Sequence, residues 1–138
     1  MIKIVIAAFI LLELSNVLAL YFAPGSQYAN AVGVFSAWEK SKQDPEIHAF
    51  VKYLVNWVAG AKLIFLLLLA VIVIYADALV QRLSLVALAL ATASFYWRLF
   101  PQIRKMDQKG QIAPHNYSTV LGIMIFAFIV FFLVAAAV

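Results

Sequence analysis

The sequence predicts an all-α membrane protein, a four-transmembrane-helix bundle with a short interfacial helix in its first loop. Three observations carry this. The 138-residue chain is 67% hydrophobic and 12% charged, with a mean hydropathy of +1.02. A soluble domain is about half apolar, and so few polar side chains cannot cover such a core in water. The apolar residues fall into four stretches, at about residues 2–23, 47–75, 78–100 and 117–138, each long enough for the roughly 20-residue crossing of a bilayer. Most of the charge lies in the two long polar stretches between them. The spans nearly exhaust the chain, so a single domain over 1–138 is expected.

The first span carries a nine-residue apolar run from Ile4 to Leu12, then Glu13. Lys3 before that run and Val17-Leu18-Ala19 after it also fit a signal peptide; an uncleaved helix is expected. Pro24-Gly25-Ser26 ends it, because proline lacks the donor a continuing helix needs and glycine permits a turn. In the loop that follows, Tyr28, Ala31, Val32, Phe35 and Trp38 fall on one face at helical spacing, with Asn30, Gly33, Ser36 and Lys40 elsewhere. This predicts a short helix in the membrane interface, or a cap over the bundle.

Asp44-Pro45-Glu46 is a helix start: Asp at the cap, Pro at the first position, Glu in the first turn. The second span is longer than a bilayer needs, so it tilts or its first turns stand among headgroups. Ala76-Asp77 is a very short link, which predicts antiparallel neighbours in the second and third spans. Pro101 is expected to end the third span, and residues 102–116 to form a polar loop. The fourth span contains no charge.

Orientation follows from Lys and Arg. Lys40, Lys42, Lys52, Arg98, Arg104, Lys105 and Lys109 flank the two long loops, which lie on one side; Lys3 and Arg82 lie on the other. Both long loops are therefore expected in the cytoplasm and both termini outside, with a bacterial inner membrane as the location. The net charge of +4 reflects this rule and anionic headgroups rather than nucleic acid. The lipid bilayer is the expected partner, with a homo-oligomer or larger membrane complex possible.

The absence of cysteine excludes disulfides, zinc–cysteine sites, iron–sulfur clusters and a thiol nucleophile. Ser15, Ser84, Ser94 and Ser118 stand in no elbow or triad pattern. His48 and His115 sit at span ends without metal-ligand spacing, so no metal, haem or other cofactor is expected. Asp107 and Glu39 read as solvated loop charges.

The candidate ligand-binding residues are Glu13, Asn16, Asn56, Lys62 and Arg98. A charge near mid-bilayer costs roughly 2.5–3.5 kcal/mol on insertion scales, so Glu13 should face the bundle. Asn16, three residues on, shares its face. Glu13 lies ten residues from the loop end of its span, roughly 15 Å deep, and Lys62 falls at a similar depth. A Glu13–Lys62 ion pair is geometrically reasonable at these depths; the sequence alone leaves open whether the two touch. His48, Lys52, Ala59 and Lys62 keep one face of the second span, with Asn56 at its edge and Arg98 at the mouth.

The structural readings of the same residues are plain. Tyr96, Trp97 and Tyr117 fit an aromatic belt; Arg98 and Lys52 fit snorkelling cations; a Glu–Lys pair also fixes helix register. Ala87, Ala91 and Ser94, like Ala59-Gly60-Ala61 and Gly122, let helices approach closely, within the monomer or at an oligomer seam. Three functions fit: binding or transport of a small polar or amphipathic ligand within the bundle, a non-catalytic membrane subunit or assembly protein, and a lipid-modifying enzyme using Glu13. The last has least support, because the carboxylate has no second acid, metal or nucleophile beside it.

Overall fold

The computed structural model describes residues 1–29 and 31–138; Asn30 of the first loop lies outside the described residues. The described chain is helical, without a strand. The helices are α1 (Ile2–Phe22), α2 (Ser36–Ser41), α3 (Pro45–Tyr75), α4 (Ala78–Ala93), α5 (Phe95–Gln108) and α6 (Tyr117–Ala137). Four helical runs, α1, α3, Ala78–Gln108 and α6, are long and apolar enough to cross a membrane.

The start of α3 forms as its sequence dictates. Asp44 Oδ1 accepts from the amides of Glu46 at 3.0 Å and Ile47 at 3.2 Å, with Pro45 in the first turn. Asp77 caps α4 by accepting the Val80 amide at 2.9 Å. The long helices then turn most of their apolar surface outward: Phe22, Trp57, Ile64, Leu67, Leu90, Val120 and Ile123 are between 62% and 82% exposed.

The packing departs from the expectation set by the short link. α3 and α4 make few contacts with each other; α1 packs along α3, and α4 along α6. A two-residue link fixes the distance between two helix ends but not the faces they present, and those faces bury elsewhere. Val5, Ile6, Leu69, Leu85, Ala89, Phe132 and Ala135 form a core drawn from all four long helices. Towards the long loops the core narrows to α1 and α3, through Val17, Leu20, Val55, Ala59 and Leu66.

Pro101 does not end the third helical run. The break comes earlier, at Ser94, whose amide is shared between the carbonyls of Leu90 and Ala91, both at 3.2 Å, while its hydroxyl donates to Ala91 at 2.6 Å. The helix resumes at Phe95 and passes through Pro101 to Gln108. Glycine supplies the stop. Gly110, at φ 66°, closes a left-handed cap in which its amide bonds to the Asp107 carbonyl and the Gln111 amide to that of Met106, both at 2.9 Å.

The first loop also differs from expectation. No single helix spans 28–38: a 3₁₀ turn (Val32–Val34) precedes α2, with extended backbone at Ala31 and Phe35. Tyr28 is 84% exposed, whereas Ala31, Val34 and Trp38 are buried. Backbone pairing outweighs the helical period. Val32 and Gly33 donate to the carbonyls of Pro24 and Ser26, and Phe35 pairs with Ile112 of the second loop in an antiparallel bridge. A side chain on Gly33 would meet the Gly25 and Ser26 backbone. The two long loops therefore lie on one side of the bundle and are joined there.

Candidate functional site

On α1, Phe9, Glu13, Asn16 and Leu20 follow steps of four, three and four, which keep one face. That face packs on α3, where Ala59, Lys62 and Leu66 do the same. Lys62 Nζ donates to Glu13 Oε2 at 2.6 Å. Asn16 Nδ2 donates to the other oxygen, Oε1, at 3.2 Å. Both carboxylate oxygens are thus engaged. The Glu13 side chain is 13% exposed and that of Lys62 24%; Asn16 is buried.

The pair sits between two dry layers. One turn towards the N-terminal end of α1, Phe9 lies edge-on to Phe132 at 5.0 Å between ring centres and to Phe128 at 6.2 Å, and tilted against Phe65 at 6.4 Å. On the loop side lie Val17, Leu20, Val55 and Ala59, the last with no exposed surface. The complete burial of Ala59 is what lets the two helices close on each other. Apolar walls on both sides strengthen the electrostatic attraction and leave little alternative for either charge.

The other candidates stand apart. Asn56 and Lys52 are exposed, at the edge of the α3 face that packs on α1. The polar stripe of α3 divides, so that His48, Ala59 and Lys62 turn inward and Lys52 and Asn56 outward. Arg98 is exposed, its guanidinium 5.4 Å from the Trp97 ring centre. Ala87, Ala91 and Ser94 also face outward, while Leu85 and Ala89 do the packing of α4.

Several contacts at the loop end were not legible in the sequence. His48 Nδ1 lies 2.8 Å from Ser41 Oγ, and its ring 4.8 Å from that of buried Trp38. Tyr96 donates its hydroxyl to the Gly122 carbonyl at 2.5 Å, and the Phe100 ring rests where a Gly122 side chain would stand. Asp107 is buried, not solvated as a loop charge. Its Oδ2 accepts from the Ser118 hydroxyl at 2.6 Å and amide at 2.8 Å, capping α6 from eleven residues away. The Ser118 hydroxyl, then its amide, holds the Asp107 carboxyl below the usual carboxylate range, against the opposing effect of burial. A long-range cap of this kind has no local sequence signature. On the opposite end, Arg82 donates to the Val138 carbonyl at 3.0 Å, as a cation at a helix C-terminus does.

Chemically, the cluster is a closed ion pair with an amide donor. Among the described residues no three of His, Cys, Asp and Glu come together as a metal site would require. No protein family, curated protein or solved structure matches this chain.

Proposed function

We propose that the chain is an integral membrane protein of four spans, of the bacterial inner-membrane kind, with both long loops cytoplasmic and both termini outside. Within it, the Glu13–Lys62 pair fixes how α1 seats on α3, and the protein acts as a non-catalytic membrane subunit. The apolar outer surface supports insertion: α1 has 21 residues, about 32 Å at about 1.5 Å per residue, against a hydrocarbon core of about 30 Å. The clustering of Lys and Arg at the joined loops supports the orientation.

One observation carries the subunit reading. Both Glu13 oxygens are already taken, by Lys62 and Asn16, and the pair lies inside one helix pair between apolar layers. Such a pair sets register, since any sliding of α1 on α3 separates buried charges. The outward apolar faces are then where a partner or a second copy packs.

A second reading has one observation in its favour. Lys62 keeps 24% of its side chain exposed, so a small polar or amphipathic ligand could reach it and displace Glu13. Thermal stability in detergent of Glu13→Gln, Lys62→Met and the double variant separates the two. Under the subunit reading each single change lowers stability by about 1–3 kcal/mol, and the double variant recovers most of the loss. If Glu13→Gln matches or exceeds the wild type, the carboxylate is held at a cost to stability, and the ligand reading takes over.

A further inference from the structure

We infer that the groove between α5 and α6 holds an acyl chain of an anionic phospholipid, with the lipid phosphate on Arg104. The inference rests on the membrane reading above. The groove has a volume of about 400 Å³ and is lined mainly by apolar surface. Its α5 wall is the stripe Tyr96, Phe100 and Arg104; its α6 wall includes Thr119, Ile123 and Phe126. The two helices run in opposite directions, so Arg104 and Thr119 mark the loop end and Phe126 the deep end. From Arg104 to Tyr96 is eight residues, about 12 Å of helix.

Polarity is sorted along that length. The Tyr96 hydroxyl is spent on the Gly122 carbonyl, so the tyrosine offers the groove only its ring. The other polar side chains of the lining, Arg104 and Thr119, both belong to its loop end. Below them lie Phe100, Ile123 and Phe126. A ligand that fits has one polar head and one apolar tail lying along the helices.

Charge selects the head. Arg104 is exposed and has no ion-pair partner among the described residues. Arg98 and Lys105 lie on the same helix, and the one acid of α5, Asp107, is buried against Ser118. The mouth is therefore uncompensated positive, which suits a lipid phosphate without a neutralising amine.

The experiment uses the full chain extracted from the membrane fraction, with phosphatidylglycerol and phosphatidylcholine offered at equal concentration and retained lipid read by native mass spectrometry. Wild type is expected to retain phosphatidylglycerol preferentially. Arg104→Gln should weaken retention about fivefold, the worth of one basic residue at a lipid surface. Ile123→Trp, which fills the groove, should abolish it, while Lys109→Gln leaves it unchanged. Circular dichroism on each variant separates lost binding from lost fold. Equal retention of both lipids, or an equal loss in Lys109→Gln and Arg104→Gln, overturns the site. A chain that does not partition into membranes would instead overturn the four-span reading itself.

Discussion

The Asp107 carboxylate and Ser118 join the third helical run to the fourth: one oxygen accepts both the serine hydroxyl, at 2.6 Å, and the serine amide, at 2.8 Å. The contact satisfies an amide that the first turn of α6 leaves without a helical partner, and it places a negative charge at the positive end of that helix.

Its pH dependence has a definite sign. Asp107 lies beyond the apolar part of its run, and its pKa is lowered in the fold. A carboxyl depressed by folding contributes stability above its unfolded pKa, about 3.9, and loses it as pH falls through the folded value. Wild type should therefore exceed Asp107→Asn in Tm at neutral pH, with the gap closing below about pH 4. Thermal melts of both proteins across that range check this; a gap that persists in acid would place the stabilisation elsewhere.

The stop signal of α5 makes a second test. Gly110 holds φ 66° in the helix cap, a conformation that costs a residue with a Cβ about 1 kcal/mol or more. Gly110→Ala should lower stability by that amount. Pro101→Ala should raise it, by up to about 3 kcal/mol, because the helix already runs through that position without its hydrogen bond. Chemical denaturation of the two variants reads both signs.

The joined loops offer a third. Phe35 and Ile112 face each other, with the Ser36 amide bonded to the Gln111 carbonyl and the Ala113 amide to that of Val34, both at 2.9 Å. This is the non-hydrogen-bonded pair of an antiparallel bridge, with Cα atoms about 4.5 Å apart, within disulfide range. The chain has no cysteine, so Phe35→Cys with Ile112→Cys should cross-link on mild oxidation as a clean intramolecular species. Mass spectrometry under non-reducing conditions detects it, and free thiols after oxidation would contradict the loop pairing.

Much of the fold was legible because it depends on local chemistry. Asp44-Pro45 starts α3 and Ala76-Asp77 separates α3 from α4 through bonds made within a few residues. The Glu13–Lys62 contact was open in the sequence as a reasonable geometry, since two charges at similar depth in apolar helices have few partners other than each other, and the structure makes it. Asn56 and Arg98 share the polar character of that cluster but not its place, since a stripe in sequence does not say which of its edges a neighbouring helix covers.

By itself the sequence determined four helices long and apolar enough to cross a membrane, the cap of α3, and loops that share one side, because composition and short-range hydrogen bonding act residue by residue. Tertiary structure alone decided that α4 pairs with α6, that the first loop folds on the second instead of forming one helix, and that Asp107 reaches Ser118. Those outcomes depend on which surfaces meet, and surfaces far apart in the chain compete for one another only once the helices exist.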